Sequence, residues 1–150
     1  GRRVARNKQV PGRGRGARQG GEPMAGQVVH FEIPADDLER AQSFYQEAFG
    51  WRVEPVPEMS YTLVTTSAVD EDGLPIEPGA INGGMLVRQQ PVTGPVIVIN
   101  VDDVDEALAR VQRLGGTVTQ GKTPVGDLGF SGYFTDPEGN TVGLWQEAAS

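Results

Sequence analysis

The sequence contains no cysteine and one histidine among its 150 residues. The absence of cysteine excludes disulfide bonds and thiolate metal sites, and it suits a reducing compartment, so we expect a cytoplasmic protein. Apolar runs are short as well, and none approaches the roughly 18 residues that a membrane-spanning helix needs. The basic N-terminal stretch has no apolar segment behind it and does not match a secretory signal. We therefore expect no contact with a membrane.

Basic residues are scarce outside the first part of the chain. Residues 1–23 hold seven of the thirteen Lys and Arg residues but one of the twenty acidic residues. The remaining residues, 24–150, carry six basic and nineteen acidic groups, a net charge of −13. This acidic part of the chain disfavours nucleic acid as a partner, because affinity for nucleic acid comes mainly from basic side chains that neutralise its phosphates. It favours a cationic ligand through long-range attraction.

Residues 1–23 are rich in Arg and Gly, and Val4 and Val10 are their only large aliphatic residues. A segment of this composition cannot bury enough apolar surface to offset the entropy lost on ordering. We predict a disordered basic tail. One alternative is that Arg13–Gly16 touches RNA or an acidic partner.

The body, residues 24–150, repeats itself at a constant offset of 66 residues. Three identical pairs mark the offset: Asp36 and Asp102, Ala41 and Ala107, and Gly50 and Gly116. A fixed offset across a strand and a helix indicates a duplicated supersecondary unit. Two copies are too few for a solenoid, but two copies can pair and enclose a site between them.

Each repeat predicts a strand, a helix and three further strands. Module one covers residues 27–88 and module two covers residues 94–147. We predict an α+β fold in which the two βαβββ modules form a curved mixed sheet around a cleft, with the helices outside. In the first helix, Phe44, Tyr45 and Phe49 recur at helical spacing, which predicts that they pack against the sheet.

At this point the body resembles the vicinal-oxygen-chelate superfamily, which includes glyoxalases, bleomycin-resistance proteins and extradiol dioxygenases. The segments that carry the resemblance are 29–33, 44–45, 49–51, 101–104 and 134–140. More narrowly, residues 83–85 and 143–146 resemble a branch related to lactoylglutathione lyase. The resemblance implies the glyoxalase-like fold over the whole body.

The resemblance also implies where a metal would bind. Enzymes of the superfamily typically hold one divalent metal with a His or Gln on the first strand of each module and a Glu on the last. The corresponding residues here are His30, Val96, Gly84 and Gly143, of which His30 alone can coordinate. Because a catalytic metal usually has at least three protein ligands, we predict no metal site and no cofactor.

Strand alternation predicts which side chains face the cleft. His30 and Glu32 share one face of the first strand, which makes them the candidate catalytic residues. The candidate ligand-binding residues are Asn82, Val98, Asn100 and Trp145. Two roles of His30 remain open, a hydrogen-bonded wall of the cleft or an acid–base group tuned by Glu32. Trp145 could instead pack at an interface between modules or subunits.

These observations predict a protein that binds a small molecule, cationic or aromatic, in the cleft between the modules without the usual metal. The alternative is a metal-dependent lyase, isomerase or dioxygenase with a degenerate site around His30 and Glu32. The sequence leaves open whether the modules pair within one chain or between the chains of a homodimer.

Overall fold

The computed structural model describes residues 25–149, so the predicted tail at residues 1–23 lies outside the described residues. The first module contains β1 (Val28–Ala35), α1 (Leu38–Phe49), β2 (Arg52–Val56), β3 (Tyr61–Thr65) and β4 (Gly83–Val87). The second module contains β5 (Val96–Asn100), α2 (Val104–Arg113), β6 (Thr117–Val125), β7 (Gly129–Thr135) and β8 (Thr141–Glu147). The predicted order of elements is confirmed in both modules. Within residues 25–149, neither helix is long and apolar enough to cross a membrane.

The eight strands form one mixed sheet in the order β2-β3-β4-β1-β5-β8-β7-β6. The first strands of the two modules, β1 and β5, lie at its centre and pair antiparallel. Each also pairs in parallel with the last strand of its own module, β1 with β4 and β5 with β8. The modules are therefore joined edge to edge within one chain, and the predicted α+β class is confirmed.

Equivalent aspartates begin the two helices. Asp37 accepts a hydrogen bond from the backbone N–H of Arg40, and Asp103 accepts hydrogen bonds from those of Asp105 and Glu106. These contacts satisfy N–H groups that have no partner inside the helix. The two caps are 66 residues apart, so the duplication extends to the start of each helix.

The second helix packs firmly on the sheet. Val104, Ala107 and Leu108 are buried against Phe134 and Leu144 of the strands below. This cluster lies on one face of the sheet, and since alternate strand residues point to opposite faces, the other face is left for the cleft.

The first helix packs much less closely, and the prediction that Phe44 and Phe49 pack against the sheet is wrong. Phe44 and Phe49 are 59% and 65% exposed, and α1 contains no buried residue. The aromatic rings contact one another instead: Tyr45 stacks on Trp51 with ring centroids 4.7 Å apart, and Phe44 meets Tyr45 edge-on at 5.1 Å. Helical spacing shows that these residues share a face, but it does not show how much of the sheet lies beneath that face.

Candidate functional site

A cleft of about 540 Å³ opens on the face of the sheet away from α2. Both modules line it, with residues from β1, β3 and β4 of the first module and from β5, β6, β7 and β8 of the second. Most of the lining is apolar, and the segment between the modules contributes Val92, which is 2% exposed. Val92 packs against Val96, Val98 and Tyr133, so this segment fills part of the space between the modules.

The floor of the cleft holds a carboxylate between two phenols. Glu32 is 7% exposed, and its Oε1 accepts a hydrogen bond of 2.5 Å from the Tyr133 hydroxyl. Its Oε2 accepts a hydrogen bond of 2.9 Å from the Tyr61 hydroxyl. The Tyr61 hydroxyl oxygen lies 2.8 Å from Nε2 of His30. We call His30, Glu32, Tyr61 and Tyr133 the floor network.

Local strand geometry brings this network together. His30 and Glu32 lie two residues apart on β1 and therefore point to the same face. Tyr133 lies directly opposite Gly143 in the β7–β8 pair. In the first module, Leu63 occupies the equivalent place opposite Gly84, and Tyr61 reaches Glu32 from two residues earlier on β3.

The two glycines make room for the two tyrosines. A Cβ atom on Gly84 would lie 2.1 Å from the Tyr61 hydroxyl oxygen, and one on Gly143 would lie 3.1 Å from a carbon of the Tyr133 ring. Glycine within a strand often marks such a close approach. The space at both predicted carboxylate positions is therefore occupied by an aromatic ring.

Burial shifts the pKa values of His30, Tyr61 and Tyr133. Burial, and then the charge of Glu32, raise the pKa of Tyr61 and of Tyr133 well above the usual value for a phenol. Burial lowers the pKa of His30, and the nearby Glu32 charge opposes this with a smaller effect. Near neutral pH the two hydroxyls keep their protons and the imidazole is uncharged.

The donors present do not fit the divalent metal centre that the resemblance implies. At the four expected positions the chain offers one imidazole, one valine and two glycines. Within residues 25–149 no three His, Cys, Asp or Glu side chains are grouped closely enough to hold a metal ion. The oxygens nearest His30 and Glu32 belong to protonated phenols, which are poor metal ligands compared with carboxylates.

The charged side chains in the described lining are both acidic. Glu147 lies near the mouth, where its Oε2 accepts a hydrogen bond of 2.8 Å from Nε1 of Trp145, and Glu32 lies on the floor. Lysine and arginine are absent from this described lining. The cleft therefore combines an indole and two phenol rings with negative charge.

The structure brings five of the six predicted site residues to the cleft, namely His30, Glu32, Asn82, Val98 and Trp145. Asn100 is buried at the end of β5, beside Trp145 in the strand pairing, and is not part of the lining.

Asn82 lines the cleft, but its side chain also has a structural task. Its Oδ1 accepts hydrogen bonds from the backbone N–H groups of Thr66 and Ser67, at 2.7 and 3.0 Å. Its Nδ2 donates to the carbonyl of Ser67. Asn82 therefore holds together the two ends of the long loop between β3 and β4.

Tyr61, Tyr133 and Val92 also line the cleft, although the sequence did not predict them there. Tyr133 could have been found, because counting back from the hairpin turn at residues 136–140 places it opposite Gly143. Tyr61 lies on β3, which pairs with β4 across a long loop, and the sequence does not set the register of that pairing. Val92 lies in a turn, where strand alternation carries no information.

Comparisons with known proteins place the chain in a family. The family model "Bleomycin resistance protein-like N-terminal" matches residues 27–67. A "Glyoxylase-like domain-containing protein" from Didymella fabae is 32% identical over 121 residues, which are 79% of this chain and 91% of that protein. The chain belongs to the glyoxalase and bleomycin-resistance superfamily. The resemblance seen in the sequence is confirmed.

Another relative is longer than this chain. "Putative glyoxylase CFP32" from Mycobacterium tuberculosis is 33% identical over 120 residues, which cover 77% of this chain but 43% of that protein. Among solved structures, a glyoxalase/bleomycin resistance protein/dioxygenase superfamily member from Vibrio splendidus aligns with a TM-score of 0.52 and 18% identity. The alignment covers 81% of this chain and 98% of that chain, and it supports the glyoxalase-like fold.

Proposed function

We propose that this member of the superfamily binds a small organic cation with an apolar or aromatic part in its cleft, without a metal ion. One observation carries the proposal. Tyr61 and Tyr133 fill the space over Gly84 and Gly143 and direct both hydroxyls to Glu32. The floor is therefore a hydrogen-bonded carboxylate at the place where the superfamily typically holds a metal.

The rest of the lining supports a cationic ligand. Glu32 and Glu147 supply negative charge, and the net charge of −13 on residues 24–150 adds attraction at long range. Trp145, Tyr61 and Tyr133 offer π faces that attract a cation. A cleft of about 540 Å³ with a mostly apolar wall suits a ligand of modest size.

Calorimetry with benzylammonium as the probe tests this proposal. We expect Glu32→Gln to weaken binding at least about tenfold, or about 1.4 kcal/mol, because the floor then loses its charge. Glu54→Gln is the matched control: it removes the same charge from an exposed site on β2 outside the cleft, so its effect should be much smaller. Equal effects of the two variants, or no binding at all, would contradict the proposal.

Elemental analysis of the purified protein separates this proposal from the metal-dependent alternative. We expect no stoichiometric metal, and no rise in melting temperature on titration with Ni²⁺, Zn²⁺, Mn²⁺ or Fe²⁺. One equivalent of metal that is lost in His30→Ala would overturn the metal-free proposal. The cytoplasmic location stays a prediction of the sequence, and the homodimer stays one of the arrangements that the sequence left open.

A further inference from the structure

The hydroxyl protons of the floor network each have a defined acceptor. Each phenol has one proton to donate, and a carboxylate has none. Tyr133 donates its proton to Oε1 of Glu32, and Tyr61 donates its proton to Oε2. Both hydroxyl protons are therefore committed to the same carboxylate.

This arrangement determines the tautomer of His30. Nε2 of His30 lies 2.8 Å from the Tyr61 oxygen, whose own proton is directed to Glu32. The hydrogen bond between them therefore needs a proton on Nε2. A neutral imidazole carries one N–H, so Nδ1 is left with a bare lone pair.

The floor as a whole then offers acceptors without a spare donor. The atoms of the floor network that can still form hydrogen bonds are Nδ1 of His30 and the oxygens of Glu32 and Tyr133, and all of them accept. Other side-chain donors in the lining lie outside the floor network: the indole N–H of Trp145, which is bonded to Glu147, the amides of Gln89, Gln90 and Gln120, and the hydroxyl of Ser131.

We propose that the floor of the cleft selects ligands whose polar end donates hydrogen bonds, such as a protonated primary or secondary amine or an amidine. A quaternary ammonium group has the charge but no N–H to donate. A carboxylate or a carbonyl would place its own acceptor oxygens against the acceptors of the floor network. Such mismatches leave buried lone pairs unpaired, which sites discriminate strongly against. This inference rests on the proposed binding of a cation and specifies its chemistry.

Three benzyl compounds test the selectivity by calorimetry at pH 7.5: benzylammonium, benzyltrimethylammonium and phenylacetate. We expect benzylammonium to bind about tenfold or more tightly than the trimethyl compound, and phenylacetate to show no binding. Equal affinity of the two cations, or binding of phenylacetate, would overturn the selectivity but leave the proposed function standing. If neither cation binds, the proposed function itself fails.

The Tyr61→Phe variant separates hydrogen bonding from simple size. Without the Tyr61 oxygen, His30 is free to change tautomer and present an N–H to the cleft. We therefore expect the preference for benzylammonium over the trimethyl compound to shrink several-fold. A preference that stays the same would mean that the bulk of the methyl groups decides, which would overturn the proposal.

Nitrogen NMR of the imidazole tests the tautomer in the unaltered protein, whatever the variants do to folding. His30 is the sole histidine of the chain, so its ring signals are isolated once any affinity tag is removed. We expect a protonated Nε2 and a bare Nδ1 in the wild type and in Tyr133→Phe, and a mixture of tautomers in Tyr61→Phe. A protonated Nδ1 in the wild type would overturn the proposal.

Discussion

At the scale of single residues, each tyrosine of the floor network depends on a glycine. The Tyr61 ring occupies the place where a side chain on Gly84 would project, and Tyr133 crowds Gly143 in the same way. Tyr61 cannot swing away freely, since its hydroxyl is bonded to both His30 and Glu32. The glycine at position 84 and the tyrosine at position 61 are therefore physically coupled.

This coupling predicts a non-additive pair of substitutions. We expect Gly84→Ala to reduce the free energy of unfolding by about 1–3 kcal/mol, because the added methyl overlaps the Tyr61 ring. The cost should fall in a Tyr61→Ser background, where the ring is gone. Urea unfolding of the single and double variants measures the coupling.

Gly121→Ala is the control for that cycle. A Cβ atom on Gly121 would meet nothing within 4 Å, so the change should stay within about 0.5 kcal/mol. Additive effects of Gly84→Ala and Tyr61→Ser would mean that the ring does not limit position 84.

The single histidine also predicts a pH dependence of stability. Burial lowers the pKa of His30 in the folded state below the ordinary value of 6.5, so between these two pKa values the unfolded chain binds more protons. The stability that depends on an uncharged His30 is fully present above pH 6.5, and it is lost as the pH falls towards the pKa of His30 in the folded state. We expect the free energy of unfolding to decline from pH 7.5 to pH 5.5, as measured by urea titration.

In His30→Gln this decline should flatten, because no other side chain of the chain ordinarily titrates in that range. Glu32 and Tyr61 face the imidazole, and the Glu32 charge opposes the decline with the smaller effect. Stability that rises on acidification in the wild type would contradict the lowered pKa.

At the scale of elements, the two helices share a capping pattern but not a packing role. Leu108 of α2 is 5% exposed, whereas Phe44 of α1 is 59% exposed. The aromatic residues of α1 lean on Trp51 and on each other, so much of their surface faces solvent. The modules are alike in backbone and unlike in how their helices contribute to stability.

Truncation of one side chain from each helix tests this difference. We expect Leu108→Ala to cost about 2–5 kcal/mol in the free energy of unfolding, because it empties a packed site. Phe44→Ala removes a larger side chain but should cost less than about 1 kcal/mol, since most of that surface is already exposed. Equal losses in urea unfolding would show that Phe44 is buried in solution, as the sequence had predicted.

The sequence predicted the elements better than the contacts between them. Each helix start depends on local contacts of a capping aspartate, Asp37 or Asp103, and the 66-residue offset relates the two. Alternation along β1 gave His30 and Glu32 as cleft residues. The position of Tyr61 depends instead on a register across the loop at residues 66–82, where no tight turn fixes the pairing.

At the scale of the whole molecule, the net charge of the protein says more about the proposed ligand than the shape of the cleft does. The net charge of −13 on residues 24–150 surrounds a cleft whose charged lining, within the described residues, is acidic. The long-range part of this field is screened by salt, with a Debye length of about 10 Å at 0.1 M. Glu32 itself is buried, so its proposed contact with a cation would be screened much less.

Ionic strength therefore separates the two contributions. We expect the affinity for benzylammonium to fall a few-fold between about 0.05 and 0.5 M NaCl, because only the long-range attraction is lost. Benzyl alcohol, which has the same ring without the charge, should show little change in calorimetry. An affinity for the cation that is independent of salt would mean that the field of the body contributes nothing.

The hydrogen bond between Glu32 and Tyr133 joins residues 101 positions apart in the chain. Glu32 is synthesised before Tyr133, so a growing chain contains β1 to β4 before it contains the second donor to this carboxylate. Long-range contacts of this kind form only after the entropy of loop closure has been overcome. The first module alone therefore lacks part of the proposed binding site, which is complete only when β7 of the second module is in place.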